Sequence, residues 1–146
     1  MKFHSAFRIL LIAFPAFLSS KFSFAQPAND DCADVISLTS STSCSTTSGT
    51  TVSATYSTIS LGSCGVAGPD VWYSFTATTT NPTITTTGSS SRRRVQVFSG
   101  TCGSLNPIGS CGTSITESGL TIGATYFVRV FPSNETTTFT FTICVT

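Results

Sequence analysis

The sequence predicts an all-β, antiparallel β-sandwich stapled by disulfides, on three observations. Residues 26–146 hold 47 Ser and Thr. Period-2 runs of β-branched and aromatic residues recur there between Gly, Pro, Asn and Ser clusters, the pattern of short strands joined by turns. Six cysteines, Cys32, Cys44, Cys64, Cys102, Cys111 and Cys144, all follow residue 25, and an even count in a small exported domain reads as a disulfide framework.

The first 25 residues read as a signal peptide rather than as part of the fold. Lys2 and Arg8 give a basic start, Ile9 to Leu18 form a short apolar run, and Ser23-Phe24-Ala25 offers the small residues that a signal peptidase reads. The run is shorter than the roughly 20 residues of a membrane span, and Pro15 interrupts it. Cleavage after Ala25 leaves one module, residues 26–146, the size of a single domain of about 100–150 residues. Cys32 lies too far from the run, behind Asn29-Asp30-Asp31, for a lipid anchor.

Seven strands are expected within that module, at 35–38, 50–56, 70–77, 83–87, 94–98, 124–131 and 137–145, and no helix. In the third, alternation sends Val71, Tyr73 and Phe75 to the core and Trp72 outward. In 124–131, Tyr126, Val128 and Val130 are assigned to the core, because Arg129 shares the other face with Phe127 and Phe131. The last strand separates Phe139, Phe141, Ile143 and Val145 from Thr138, Thr140, Thr142 and Cys144, so a disulfide from Cys144 ties the outside of the sheet to a covering segment. Among the cysteines, Cys102 and Cys111 flank a turn-rich stretch of low closure cost and form the preferred pair. Cys32, Cys44, Cys64 and Cys144 leave three pairings open.

Composition excludes most chemistry. Beyond residue 25 there is no Lys and no His, so neither a histidine-activated nucleophile nor a Ser-Lys dyad can be assembled. Two-carboxylate hydrolysis by Asp70, Glu117 or Glu135 remains formally open, with no active-site motif around any of them. Four arginines against six carboxylates give the module a net charge of −2, unlike the basic face of a nucleic-acid binder. With no further apolar segment of membrane length, the module is expected to be exported and not inserted in a membrane.

Five ordered stretches carry a resemblance: Pro27 to Ile36, Ser48 to Thr55, Asp70-Val-Trp-Tyr-Ser-Phe75, Val95 to Leu105, and Gly119 to Val130. Together they resemble the bacterial pre-peptidase C-terminal-like domain, in the cysteine-containing form of secreted and surface proteins. The resemblance implies a jelly-roll-like sandwich without catalytic activity. It also implies an accessory binding or adhesion role beside a hydrolase or adhesin-like repeat, with polysaccharide or another surface polymer as partner. Arg92-Arg93-Arg94 stands where the family carries an aromatic-Asp-Ala segment, which puts any metal or polar site there in doubt. Because the sequence stops at Cys144-Val145-Thr146, a stand-alone or truncated copy lacking its partner domain is expected. A structural spacer without a ligand is the alternative reading.

Each candidate site has a plainer reading beside it. Asn29, Asp30, Asp31 and Asp34, joined by Asp70, offer oxygens suited to calcium; the preferred reading is a polar entry turn, and no cofactor is expected. Trp72, with Phe127 and Phe131, could form a sugar-stacking platform, although cover by a loop or by the disulfide-linked N-terminal segment is preferred. Arg92, Arg93 and Arg94 could fork onto sulfated or carboxylated glycan, against the commoner case of solvated loop arginines. Asn134-Glu135-Thr136 fits the N-glycosylation pattern, idle in the bacterial origin that the resemblance implies.

Overall fold

The computed structural model describes residues 25–59, 62, 64–65 and 68–146; the signal-peptide reading lies outside them except at Ala25. Two sheets pack face to face. β1 (Ile36–Leu38), β3 (Val71–Thr76), β8 (Thr125–Pro132), β5 (Arg93–Thr101) and β6 (Ser104–Gly112) form the first, in that order. β2 (Thr47–Thr50), β9 (Thr140–Val145), β4 (Thr83–Gly88) and β7 (Ser114–Thr116) form the second. Pairing between named strands is antiparallel except for β1 on β3. The only helical piece among the described residues is a single 3₁₀ turn, Cys32–Asp34. This is the disulfide-stapled, jelly-roll-like sandwich that the sequence predicts.

Alternation builds the main core. Val71, Tyr73 and Phe75 on β3, Val128 and Val130 on β8, and Val95 and Val97 on β5 point inward against Phe141, Ile143 and Val145 on β9. Tyr126 stacks on Phe75 with centroids 5.8 Å apart, and Tyr73 meets Phe141 edge-on at 6.1 Å. Each such pair contributes about 0.5–1.5 kcal/mol beyond its buried area.

Three strands depart from expectation, and one of them, β7, falls where none is expected. The segment expected as 50–56 pairs with β9 only at Thr50, the last residue of β2, and then only Tyr56 pairs again, in an isolated bridge to Pro69. After Thr50 the Thr51 hydroxyl takes the Phe139 amide (3.0 Å), and Ser53 turns the chain away at φ 63°. Residues 104–112 read as a loop because Asn, Pro, Gly and Ser dominate them, yet they form β6. The hairpin from β5 fixes their register (Phe98 opposite Pro107), and an edge strand tolerates proline because one side of its backbone is unpaired. Gly100, paired with Leu105 just before the turn at Cys102 and Gly103, has φ +98°; a Cβ there would lie 2.2 Å from the Ser104 carbonyl oxygen.

β6 also corrects the cysteine pairing. Cys102 and Cys111 sit at opposite ends of an extended strand, about 30 Å of chain apart at roughly 3.3 Å per residue, and do not bond. Cys102 pairs with Cys32, Cys111 with Cys64, and Cys44 with Cys144. The last bond joins the outer side of β9 to the segment before β2, as its place on the polar face requires. These bridges span 70, 47 and 100 residues, each worth about 4–5 kcal/mol by the chain-entropy estimate.

β6 bulges between the partners of Val95 and Val97, and Gly109 lies in the irregular stretch at φ +64°. The Glu117 carboxylate occupies the space beside it, where a Cβ on Gly109 would come within 1.9 Å of Oε2. Glu117 is 5% exposed, its Oε1 has no hydrogen-bond partner, and burial pushes its carboxyl above the ordinary value. A raised value means that the folded state favours the protonated form. The resulting stability is full below the ordinary glutamate range and is lost as pH rises through the folded value. Glu117→Gln is therefore expected to raise the melting temperature near pH 7 and to change it little near pH 4. Equal melting temperatures for the two proteins near pH 7 would contradict this placement.

Candidate functional site: a covered sheet face and its cleft

The outer face of the five-stranded sheet is too apolar to stand in water. Alternation on β3, β5 and β8 sends out Trp72, Phe98, Phe127 and Phe131, with Arg129 opposite Trp72 on one side and Gln96 on the other. Two segments cover this face: the N-terminal stretch before β1 and the loop between β2 and β3. Cys32–Cys102 fastens the first to the β5–β6 turn, and Cys64–Cys111 fastens the second to the far end of β6. Beneath them Trp72 is 0% exposed and packs on Phe98 at 5.5 Å.

A polar network runs through this second core. Asp70 Oδ2 accepts the Nε–H of Arg129 and forms an ion pair with Nη2; both side chains are fully buried, and Nη1 and Nη2 have no hydrogen-bond partner. The guanidinium lies 5.7 Å from the Trp72 ring and 5.2 Å from the Phe131 ring, so two aromatic faces stand where water would otherwise be. The Ser57 hydroxyl donates to Asp70 Oδ1 (2.7 Å) and accepts the Trp72 indole N–H (3.0 Å), while the Ser57 amide donates to Oδ2 (3.3 Å). Burial pushes the Asp70 carboxyl up and the Arg129 guanidinium down; the attraction between them and the Ser57 donors oppose the shift at Asp70. Asn29 brackets Trp72, accepting its amide and donating to its carbonyl, both at 2.8 Å. Asp30 accepts the Thr55 amide (2.7 Å) and hydroxyl (2.6 Å).

Where the two covering segments meet, a cleft of about 450 Å³ opens. Asp31 and Asp34 line one side, Tyr56, Ser57 and Thr58 the other, and the Cys32–Cys102 bond also borders it. Tyr56 is 54% exposed, and its hydroxyl donates to the Glu135 carbonyl, which holds the ring at the rim. Two exposed carboxylates and no basic side chain make the lining acidic.

A family model described as galactose binding domain-like, of a type associated with type IX secretion, matches residues 28–143. The chain belongs to this galactose-binding-domain-like family. The match supports a β-sandwich domain, and the pre-peptidase resemblance is the narrower reading. No curated protein and no solved structure matches the chain. The family is generally non-catalytic.

This galactose-binding-like domain rearranges the residues singled out in its sequence. Trp72 lies buried in the second core, under cover as the plainer reading prefers, because a sheet face rich in aromatic side chains recruits cover. The three arginines do not form a shared anion site. Arg93 is buried and turns back, donating to the Gly88 carbonyl at 2.6 Å and to that of Ser90. Arg94 donates to the Arg93 carbonyl (2.7 Å), and Arg92 is left exposed alone. These contacts satisfy carbonyls of the turn that the arginines themselves occupy.

Asn29 and Asp30 spend their side chains on Trp72 and Thr55, and no group of His, Cys, Asp or Glu able to hold a metal ion exists among the described residues. Of the three carboxylates considered for hydrolysis, Asp70 is committed to Arg129, Glu117 packs beside Gly109 and Glu135 is exposed. Tyr56 and Ser57 went unremarked in the sequence, since Tyr56 falls at the end of an expected strand.

Asp70→Asn leaves the Arg129 charge buried without its counter-ion, and a loss of about 3–5 kcal/mol in urea unfolding is expected. Adding Arg129→Met recovers much of it. A single variant within roughly 0.5 kcal/mol of the parent, the range of an ordinary surface change, would show that the pair is not closed off from water.

Proposed function

We propose that this chain is a non-catalytic, carbohydrate-directed accessory module of an exported protein, with the cleft at Tyr56 as its sugar site. Membership of the galactose-binding-domain-like family is the observation that carries the reading. Fold membership alone does not assign a ligand. The cleft adds the chemistry: an aromatic ring fixed at its rim for the C–H face of a pyranose, and carboxylate and hydroxyl acceptors for sugar hydroxyls. The acidic lining favours neutral sugars over sulfated or uronic ones. Three disulfides with no free cysteine among the described residues suit an oxidising, extracellular setting, and the signal-peptide reading of residues 1–25 agrees with it. The motifs shared with pre-peptidase C-terminal-like domains support an accessory, surface-directed role beside another domain.

A spacer without a ligand is the second reading. The burial of Trp72 and the folded-back Arg93 favour it, since both remove features that a binder would present.

A pull-down of the oxidised protein on insoluble neutral and sulfated polysaccharides distinguishes the two. Retention on a neutral polymer is expected, with Tyr56→Ala lowering affinity about tenfold, the equivalent of 1.4 kcal/mol. Retention unaffected by Tyr56→Ala would remove the cleft from the account, and retention on no polymer would leave the spacer.

A further inference from the structure

The cationic side chains of the module are concentrated at one place. Beyond residue 25 there is no Lys, and three of the four Arg are Arg92, Arg93 and Arg94, where the chain crosses from β4 in one sheet to β5 in the other. Arg129 is fully buried within β8. The peptide bonds after Arg93 and Arg94 lie inside β5, where these residues pair with Pro132 and Phe131 of β8. Only the bond after Arg92 is not enclosed in a strand. Ser91 and Arg92 form the turn itself, both exposed, behind Gly88-Ser89-Ser90.

The disulfides and the strand order decide what a cut at that bond would leave. Cys32, Cys44 and Cys64 precede the turn and pair with Cys102, Cys144 and Cys111, which follow it. Only between Cys64 and Cys102 do all three bridges span a cut, and the turn lies inside that stretch. The sheets interlock across the same point. β3 pairs with β8, and every pairing of the four-stranded sheet, β2 on β9, β9 on β4 and β4 on β7, joins a strand before the turn to one after it. The Arg93 guanidinium, on the far side of the bond, donates to the Gly88 and Ser90 carbonyls on the near side, a clasp that does not depend on the bond.

We propose that the Arg92–Arg93 peptide bond is a processing site for an arginine-directed endopeptidase, and that the product is a folded two-chain module held by three disulfides. The recognising chemistry is a carboxylate at the base of the protease's side-chain pocket, which pairs with the exposed Arg92 guanidinium through two parallel hydrogen bonds. Exposed turns of small polar residues are where nicking concentrates, and the serines before Arg92 bring no bulk to the neighbouring pockets. Hydrolysis consumes one water: the C–N bond breaks, Arg92 ends in a carboxylate, and the acid's proton passes to the new amine of Arg93. Two hydrogen bonds must open first, from the Ser133 amide to the Arg92 carbonyl (2.8 Å) and from the Arg92 amide to Ser90 Oγ (3.1 Å). Both belong to the turn, so the bond is reached by local opening with the strands left in their sheets. After the cut the module depends on its bridges, because reduction and unfolding then release two chains that must meet again to refold.

The test is limited digestion of the oxidised protein with trypsin, read by mass spectrometry with and without reduction and by Trp72 emission. One early product is expected, heavier than the parent by one water. On reduction it separates into a chain ending at Arg92 and a chain beginning at Arg93, and before reduction its Trp72 emission matches the parent's. Arg92→Gln should slow this first cut more than about a hundredfold, because a pocket built for a guanidinium rejects a side chain without one. Protein reduced and unfolded in urea should be cut at Arg129 as well, which shows that the fold makes the selection. Material recovered from the producing cells and their medium should contain the same two chains after reduction. The proposal is overturned by an oxidised protein that trypsin leaves whole, by a first cut after Arg93, Arg94 or Arg129, or by a parent-like rate in Arg92→Gln. Trp72 emission that shifts to the red as the cut appears would overturn the folded two-chain product, and a wholly uncut population from the producing cells would overturn the processing.

Discussion

The buried ion pair between Asp70 and Arg129 is the interaction on which the covered side of this domain depends. Two charges out of water cost several kcal/mol each unless their environment replaces hydration. Here the replacement is local: the rings of Trp72 and Phe131 stand over the guanidinium, and Ser57 supplies both hydroxyl and amide to the carboxylate. Ser57 belongs to the covering loop, so that loop cannot lift without exposing the pair and stripping Asp70 of its two Ser57 donors. The pair thereby couples the position of the loop to the interior of the sheet.

From that coupling follows the asymmetry of the molecule. One sheet carries a second core on its outside, held by two disulfides and by the brackets of Asn29 and Asp30. The other sheet is covered on its outside only where Cys44 is tied to Cys144, and its composition of Ser and Thr elsewhere is what water tolerates without cover. The cleft exists because two covering segments meet without merging, and the Cys32–Cys102 bond fixes the edge of one of them. Its geometry thus derives from the fold rather than from a flexible loop alone.

Much of this was legible in the residue pattern. Alternation located the inward faces of β3, β8 and β9, and the tie from Cys144 to a covering segment followed from its place among Thr140 and Thr142. β6 was illegible because Ser104–Gly112 lacks local strand propensity and takes its conformation from pairing with β5, a tertiary effect. The Cys102–Cys111 expectation failed with it, since a loop and an extended strand place their ends at opposite distances. Sequence could pose the choice for Trp72 between platform and cover, but the deciding partner, Ser57, is brought in by a chain reversal with no periodic signature. The cleft at Tyr56 was illegible for the same reason.

Trp72 is the sole tryptophan, so its fluorescence reports on the covered face alone. The most direct measurement is its emission and its quenching by iodide and acrylamide in the oxidised protein. A second core sealed over the Asp70–Arg129 pair requires blue-shifted emission that neither quencher reaches. Emission at the wavelength of free indole, quenched freely by iodide, would mean that the covering segments do not close over the sheet and would contradict the account at its centre.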